Sequence, residues 1–292
     1  MRVGKVSEAL AKAGADIKPV ADTIVAGNDQ NIIDQSEKNK NKPGKKFKPP
    51  RSFSSYEVGM GWDARLVAAI ENFSGVAESF RRLRANILHP AQGNPARSIL
   101  VTSASPAEGK SFVCANLGVT MAHGVDQHSL MVDCDLRRPS LARFFGIENE
   151  GVGLVDHLRD GTELSSLIFK TGLDRLSLIP AGTPPENPSE LLSSQSMSNL
   201  IKEVVDRYND RFIILDSPPA QAASETAVLA QHVDKVVLVV RWGGAGREQI
   251  KKLVEQIGPE KILGVVFNAF EMNIVDKRLQ GEGYYKYYSE EY

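Results

Sequence analysis

The stretch from Ser98 to Leu117, SILVTSASPAEGKSFVCANL, restricts the fold more than any other part of the chain. It opens with an apolar β-type run, Ile99 to Thr102, passes through a loop of small residues, and reaches Gly109-Lys110-Ser111 at the head of an apolar helical pattern. Strand, loop, Gly-Lys-Ser and helix in that order aim loop N–H groups and a helix N-terminus at one point, the arrangement that holds phosphate. Lys110 then supplies a point charge for β- and γ-phosphates, and Ser111 a hydroxyl for Mg²⁺. The residues expected around a nucleotide are Ser105, Pro106, Ala107, Glu108, Gly109, Lys110, Ser111 and Phe112. Ala104 stands where the first Gly of GxxxxGK[ST] belongs, so the competing reading is a helix start that merely contains Gly-Lys-Ser.

Beyond this loop the chain alternates. Strand-like runs fall at Ser129–Asp133, Leu176–Pro180, Phe212–Asp216, Lys235–Val240 and Ile262–Phe267. Helical stretches fall at Pro139–Phe145, Ser196–Tyr208, Glu225–His232 and Arg247–Ile257. Near-continuous apolar strands separated by helices predict an α/β fold: a mainly parallel sheet with helices on both faces. Ahead of the loop, Val76, Phe80, Leu83 and Ile87 form one apolar helical stripe, with Glu78, Arg81, Arg82 and Arg84 on the other side.

Three segments follow from composition. Residues 1–60 read as a mostly disordered extension, with a short amphipathic helix over 3–14 and a polar, lysine-rich linker from Asp34 to Tyr56. Within the linker, Lys38 to Arg51 carries seven basic residues and no acidic one, read as a solvated tether or as a contact for an anionic membrane or partner. Residues 61–275 form the P-loop domain, and 276–292 a polar tail that holds five of the seven tyrosines. The net charge of −1 implies no general attraction to nucleic acid. Two cysteines inside core elements suit a reducing cytosol, the five histidines show no metal-ligand spacing, and no apolar run approaches the length of a membrane span.

Three aspartates are expected beside the loop. Asp133 and Asp135 close LMVDCDLRRPSL, and Asp216 closes FIILDSPP; each follows an apolar strand and emerges at the carboxyl edge, where such sheets bind ligands. A carboxylate there holds Mg²⁺ or accepts a proton from an attacking hydroxyl. Singly, each would be explained as a turn residue or helix cap. Arg137 and Arg138, next in line, suit phosphate neutralisation or a capping ion pair.

These motifs together resemble the bacterial tyrosine autokinases (BY-kinases) of capsule and exopolysaccharide production, relatives of the Min/Par-type ATPases and the nitrogenase iron protein. Asp133, Asp135 and Arg137 match the second motif of that family, and Asp216-Ser217-Pro218-Pro219 the third. Pro180-Ala181-Gly182 through Asn187-Pro188-Ser189-Glu190-Leu191-Leu192 resembles its PxGxxPPNPxELL segment, and Glu78, Arg81 and Arg84 its ExxRxxR helix. The likeness runs from about Leu66 to the C-terminus. Ala107 departs from it, standing where the family has Gly, and the extra loop lysine of Min/Par ATPases is absent.

The resemblance implies a Min/Par-like P-loop kinase fold, ATP and Mg²⁺ as cofactors, and Asn268 at the adenine base. It makes Lys110, Asp133 and Asp135 catalytic, Ser111, Asp135 and Asp216 metal-holding, and Glu78, Arg81 and Arg84 an oligomer interface. Of Asp133 and Asp135, Asp133 is taken as base, with the reverse assignment open. Tyr284, Tyr285, Tyr287, Tyr288 and Tyr292 become phosphoacceptors, modified in trans within a homo-oligomer. Implied partners are a separate transmembrane activator of the polysaccharide co-polymerase type and a cognate tyrosine phosphatase. The protein would be cytoplasmic, recruited through a partner to the inner face of the membrane. A nucleotide-switched assembly ATPase that modifies no tyrosine is the competing function.

Overall fold

The structure, a computed structural model, describes residues 21–24, 61–66, 75–90, 93–124, 127–148, 151–208, 210–221 and 225–269. The helix expected over 3–14, the basic run Lys38–Arg51 and the tyrosines from Tyr284 to Tyr292 lie outside the described residues.

Among the described residues, eight strands make one sheet: β1 (Ala21–Ile24), β2 (Ser98–Ser103), β3 (His128–Asp133), β4 (Phe169–Lys170), β5 (Leu176–Ile179), β6 (Arg211–Asp216), β7 (Lys235–Arg241) and β8 (Ile262–Asn268). Their spatial order is β1-β8-β7-β2-β6-β3-β5-β4, parallel throughout except for the short β4, which runs antiparallel to β5. The fold is therefore the α/β architecture expected, a mostly parallel sheet between helical layers. β1 adds something composition did not suggest. It lies within the amino-terminal extension, yet pairs with β8 in the register Ala21↔Val266 and Ile24↔Asn268.

The helices are α1 (Gly75–Leu88), α2 (Lys110–Ala122), α3 (Leu141–Phe144), α4 (Leu154–Asp160), α5 (Pro188–Leu192), α6 (Gln195–Arg207), α7 (Glu225–His232) and α8 (Arg247–Ile257). On one face of the sheet, α1, α2 and α3 pack with Ile99, Val101, Met131 and Ile214. On the other, α4 to α8 pack with Leu100, Leu130, Val132, Ile213 and Leu215. Consecutive strand residues thus enter opposite cores, which is why these strands read as unbroken apolar runs. The stripe foreseen on α1 is buried (Phe80, Leu83, Ile87), and Phe80 meets Phe112 of α2 edge-on at 6.0 Å. Twelve of the thirteen α2 residues are buried, so this helix is apolar on every side because core surrounds it.

The segment ahead of α1 is anchored too. Trp62 donates through Nε1 to the Thr171 carbonyl at 2.8 Å and meets Phe145 edge-on at 5.0 Å. Asp63 N donates to the Phe144 carbonyl at 2.9 Å, which ties this stretch to the last residue of α3.

Candidate functional site

Parallel register brings the acidic strand ends together. Asp133 of β3 pairs with Asp216 of β6, and Asp216 with Val101 of β2, the strand that feeds the loop. Neighbouring parallel strands lie about 4.8 Å apart, so the two carboxylates leave the sheet side by side with the Gly109-Lys110-Ser111 turn one strand away. Lys110 is 6% exposed and acts electrostatically on both Asp135 and Asp216.

The three carboxylates differ in their surroundings. Asp133 is enclosed by its own loop: Oδ2 accepts from Ser140 N (2.9 Å) and Leu141 N (3.0 Å), and Oδ1 from Asp135 N (3.2 Å). Burial pushes its pKa up to about 6, against the pull of those amides. A carboxylate offers about four lone-pair sites, so one on Oδ1 remains available. Asp135 accepts from Arg138 N at 3.1 Å; burial raises its pKa while the Lys110 ammonium draws it down. Asp216 is fully buried, and neither oxygen has a hydrogen-bond partner of full geometry among the described residues. Burial and the Asp133 charge push its pKa well above the usual carboxylate range, opposed by Lys110 and the nearby Ser111 hydroxyl.

A buried carboxylate without a full hydrogen bond is costly to ionise, and Lys110 and Ser111 offset only part of that, so a further cation is favoured there. Asp216 beside Ser111 therefore fits Mg²⁺. Among the described residues no cluster of three or more His, Cys, Asp or Glu is assembled for a metal, so the ion's other ligands would be phosphate oxygens and water.

The loop is braced from within. Gly109 sits at φ +92°, and a Cβ there would lie 2.0 Å from Asn268 Nδ2. Asn268 donates from that nitrogen to the Glu108 carbonyl at 2.9 Å and accepts Ala269 N at Oδ1. Placed here, Asn268 supports the underside of the loop at the end of β8. Ala107 takes φ +59°, the left-handed conformation that its Cβ disfavours.

Glu108 behaves differently from its loop neighbours. Its carboxylate is turned inward, 1% exposed, accepting Ser105 N at 3.0 Å and Ala245 N at 2.9 Å. It joins the loop to the β7–α8 connection, where Gly244 lets the backbone approach (a Cβ would lie 2.8 Å from Oε1). A sign was legible in the sequence: an acid in a loop that wraps polyphosphate has to face away. Phe112 likewise points into the core, leaving only its main chain near the helix start.

Other residues take structural partners. Arg137 donates to Ser189 Oγ (2.8 Å) and Glu225 Oε1 (3.3 Å), tying the β3 loop to α5 and α7. Burial disfavours the charged form of Glu225, but bonds from Ser189 and Arg137 outweigh it and hold its carboxyl below the usual range. On α1, Glu78 pairs with Arg81 (2.9 Å) and Arg82 (3.5 Å), while Arg84 donates to the Thr120 carbonyl of α2 at 3.2 Å. No helix among the described residues is long and apolar enough to cross a membrane.

No family model matches the chain. Individual proteins do. It is 32% identical over 232 residues to the tyrosine-protein kinase YwqD of Bacillus subtilis, covering 79% of this chain and 93% of that one. Against the tyrosine-protein kinase wzc of Salmonella typhimurium it is 31% identical over 216 residues, 74% of this chain but only 29% of that longer protein. Among solved structures, the kinase domain of the Escherichia coli tyrosine kinase ETK aligns with a TM-score of 0.69 at 26% identity, covering 91% of this chain and 94% of that one. The chimerical protein CapA2B2 aligns with a TM-score of 0.64 at 31% identity, covering 74% and 94%. With P-loop, strand-end aspartates and sheet order in place, these likenesses have one meaning: the chain belongs to the bacterial tyrosine-protein kinase family of capsule and exopolysaccharide production.

Proposed function

We propose that this kinase uses Mg·ATP to phosphorylate the tyrosines Tyr284, Tyr285, Tyr287, Tyr288 and Tyr292 of another copy of itself. The observation that carries the reading is the fully buried Asp216 carboxylate, without a hydrogen bond of full geometry among the described residues and set between Asp133 and the Lys110 turn.

In the proposed reaction the tyrosine oxygen attacks Pγ of ATP. A new O–P bond forms as the bond from Pγ to the β,γ-bridging oxygen breaks, and ADP leaves with that oxygen. The phenol proton passes to the free lone pair on Asp133 Oδ1, whose pKa of about 6 suits a base near neutrality. Lys110 and the loop amides stabilise charge on the transferring group. Asp216 and Ser111, with Asp135 near, would hold Mg²⁺. Bound there, that ion would supply neutralisation of phosphate charge. Catalysis then rests on positioning and electrostatics.

As the family resemblance implies, a separate transmembrane activator would hold the kinase at the inner membrane face. The α1 residues Glu78, Arg81 and Arg84 are the proposed subunit contact, and a cognate phosphatase would reset the tail. Phosphorylation of the tail would regulate polysaccharide synthesis and export.

Phosphopeptide mapping after incubation with ATP tests the proposal, comparing wild type with Lys110→Met, with and without residues 276–292. Phosphotyrosine within 284–292 that disappears in Lys110→Met is expected. ATP turnover with unmodified tyrosines would replace the kinase by a nucleotide-switched scaffold.

A further inference from the structure

Arg137 is held by one atom. Its Nη2 donates both to Ser189 Oγ and to Glu225 Oε1, and Ser189 Oγ donates in turn to the same Glu225 oxygen. A guanidinium carries N–H donors on all three nitrogens; those on Nε and Nη1 have no hydrogen-bond partner among the described residues. The side chain is 45% exposed, although the carboxylate it pairs with is 1% exposed. That tether is hard to leave. Glu225 Oε2 is buried without a hydrogen-bond partner among the described residues, and Arg137 is the cation that forms a salt bridge with this acid. A buried carboxylate that loses its cation is strongly destabilised, so Nη2 stays at Glu225 while the rest of the guanidinium remains accessible. The anchors belong to the site's own framework. Ser189 lies in the first turn of α5, and Glu225 opens α7. Thr226, the next residue, donates from Oγ1 to the Pro218 carbonyl at 3.0 Å and so fixes the loop that leaves Asp216. Asp135, under the pull of Lys110, accepts main-chain hydrogen bonds from Arg137 and Arg138. Arg137 therefore joins the loops of the two acids proposed to hold Mg²⁺.

Resting on the Mg·ATP kinase reading, we propose that Arg137 binds the γ-phosphate of ATP, and that Glu225 and Ser189 are the positioning residues that hold it there. The sheet order supports the choice of phosphate. β3 stands two strand spacings from β2, about 10 Å, so a group on the β3 loop meets the outermost phosphoryl rather than those wrapped by the turn. Fixing one nitrogen at Glu225 removes most of the freedom of a long side chain before the ligand arrives. The remaining N–H groups then meet phosphoryl oxygens at small further cost, and their hold persists as charge spreads over those oxygens during transfer. Arginine suits this task and lysine does not, because the single nitrogen of a lysine cannot keep the tether and the phosphate in fixed directions at once.

The test is titration calorimetry of the full-length protein with Mg²⁺ and either a non-hydrolysable ATP analogue or ADP. Arg137→Lys and Glu225→Gln should each weaken the ATP analogue about tenfold, the worth of about one hydrogen bond to a charged group, and leave ADP within about twofold. Ser189→Ala, which removes one tether only, should give the same selective loss at smaller size. Undiminished ADP binding shows that each variant is folded. Because Glu225 acts through Arg137, the double variant should bind the ATP analogue no more weakly than Arg137→Lys alone. A loss shared equally by ATP analogue and ADP, no loss in Glu225→Gln, or additive losses in the double variant would each overturn the proposal. Phosphotyrosine mapping of the wild type judges the kinase reading separately. ATP turnover without modified tyrosine sinks that reading, while the comparison of ATP analogue with ADP still decides the place of Arg137.

Discussion

Asp216→Asn should make the ligand-free protein more stable while disabling it. The wild-type carboxylate is fully buried, lacks a full hydrogen bond among the described residues and abuts Asp133 on the neighbouring strand. An unsatisfied buried polar group costs about 1–3 kcal/mol, more when charged, and Lys110 offsets part of this. Replacing the acid by its neutral isostere removes the repulsion and keeps the volume, so a gain of about 2 kcal/mol is expected. For a chain of this size that raises Tm by about 4–8 °C. The pH dependence follows from the direction of the shifts. Asp133, raised from 3.8 to about 6, and Asp216, held well above the ordinary carboxylate range by burial and the Asp133 charge, bind protons more tightly when folded than when unfolded. Their contribution is fully present below about pH 3.9 and is lost as pH rises through the folded values. Wild-type stability should therefore fall between about pH 4 and pH 6 and beyond, and Asp216→Asn should flatten that fall. Differential scanning calorimetry from pH 5 to 8 reads both effects. Saturating Mg·ATP adds the second half: at a hundredfold excess over Kd the wild type gains about 2.7 kcal/mol, and the variant gains little. A lower Tm for ligand-free Asp216→Asn, or equal stabilisation of both proteins by Mg·ATP, would refute the view that this carboxylate is held in waiting for a cation.

Three other expectations concern the loop. Lys110→Met strips the cation from among Asp135 and Asp216; tail phosphorylation should drop at least about 10²-fold, measured by rate of phosphotyrosine formation, with weaker nucleotide binding by calorimetry. Gly109→Ala imposes a Cβ at φ +92° against the Asn268 amide; about 1–2 kcal/mol of backbone strain should appear as a lower Tm and reduced ATP affinity. Ala107→Gly runs the opposite way: relief of strain at φ +59° exceeds the added freedom of the unfolded chain, and a net gain of up to about 1 kcal/mol in urea unfolding is expected.

Much of the fold was legible because its signals are local. The runs ending at Asp133 and Asp216 are unbroken and apolar since each strand is covered on both faces, and the helices Glu225–His232 and Arg247–Ile257 appear with the limits read from their pattern. Other features depend on partners far away in the chain. Nothing near Ala21 announces pairing with β8, and α4 sits among residues whose glycines hide it: a Cβ on Gly153 would meet the Pro180 carbonyl oxygen at 2.3 Å. Arg137 reads as a phosphate ligand or a capping ion-pair partner, and only the fold brings Glu225, 88 residues on, beside it. Glu108 reads as a nucleotide contact until Ala245 is found on its carboxylate. The three aspartates could be foreseen because the chemistry of a strand end is local; which strands would stand next to one another was not.

The place of β2 at the middle of the sheet carries a consequence for biosynthesis. Its neighbours are β6 and β7, so the phosphate-binding turn has no complete support until residues 211–241 have been made, more than a hundred after the turn itself. An emerging chain should therefore be unable to retain nucleotide, and its central hydrophobic strand needs shielding in the interval. Ribosome-stalled fragments ending before Arg211 should fail to bind a fluorescent ATP analogue, and capture by such short nascent chains would contradict this order of events.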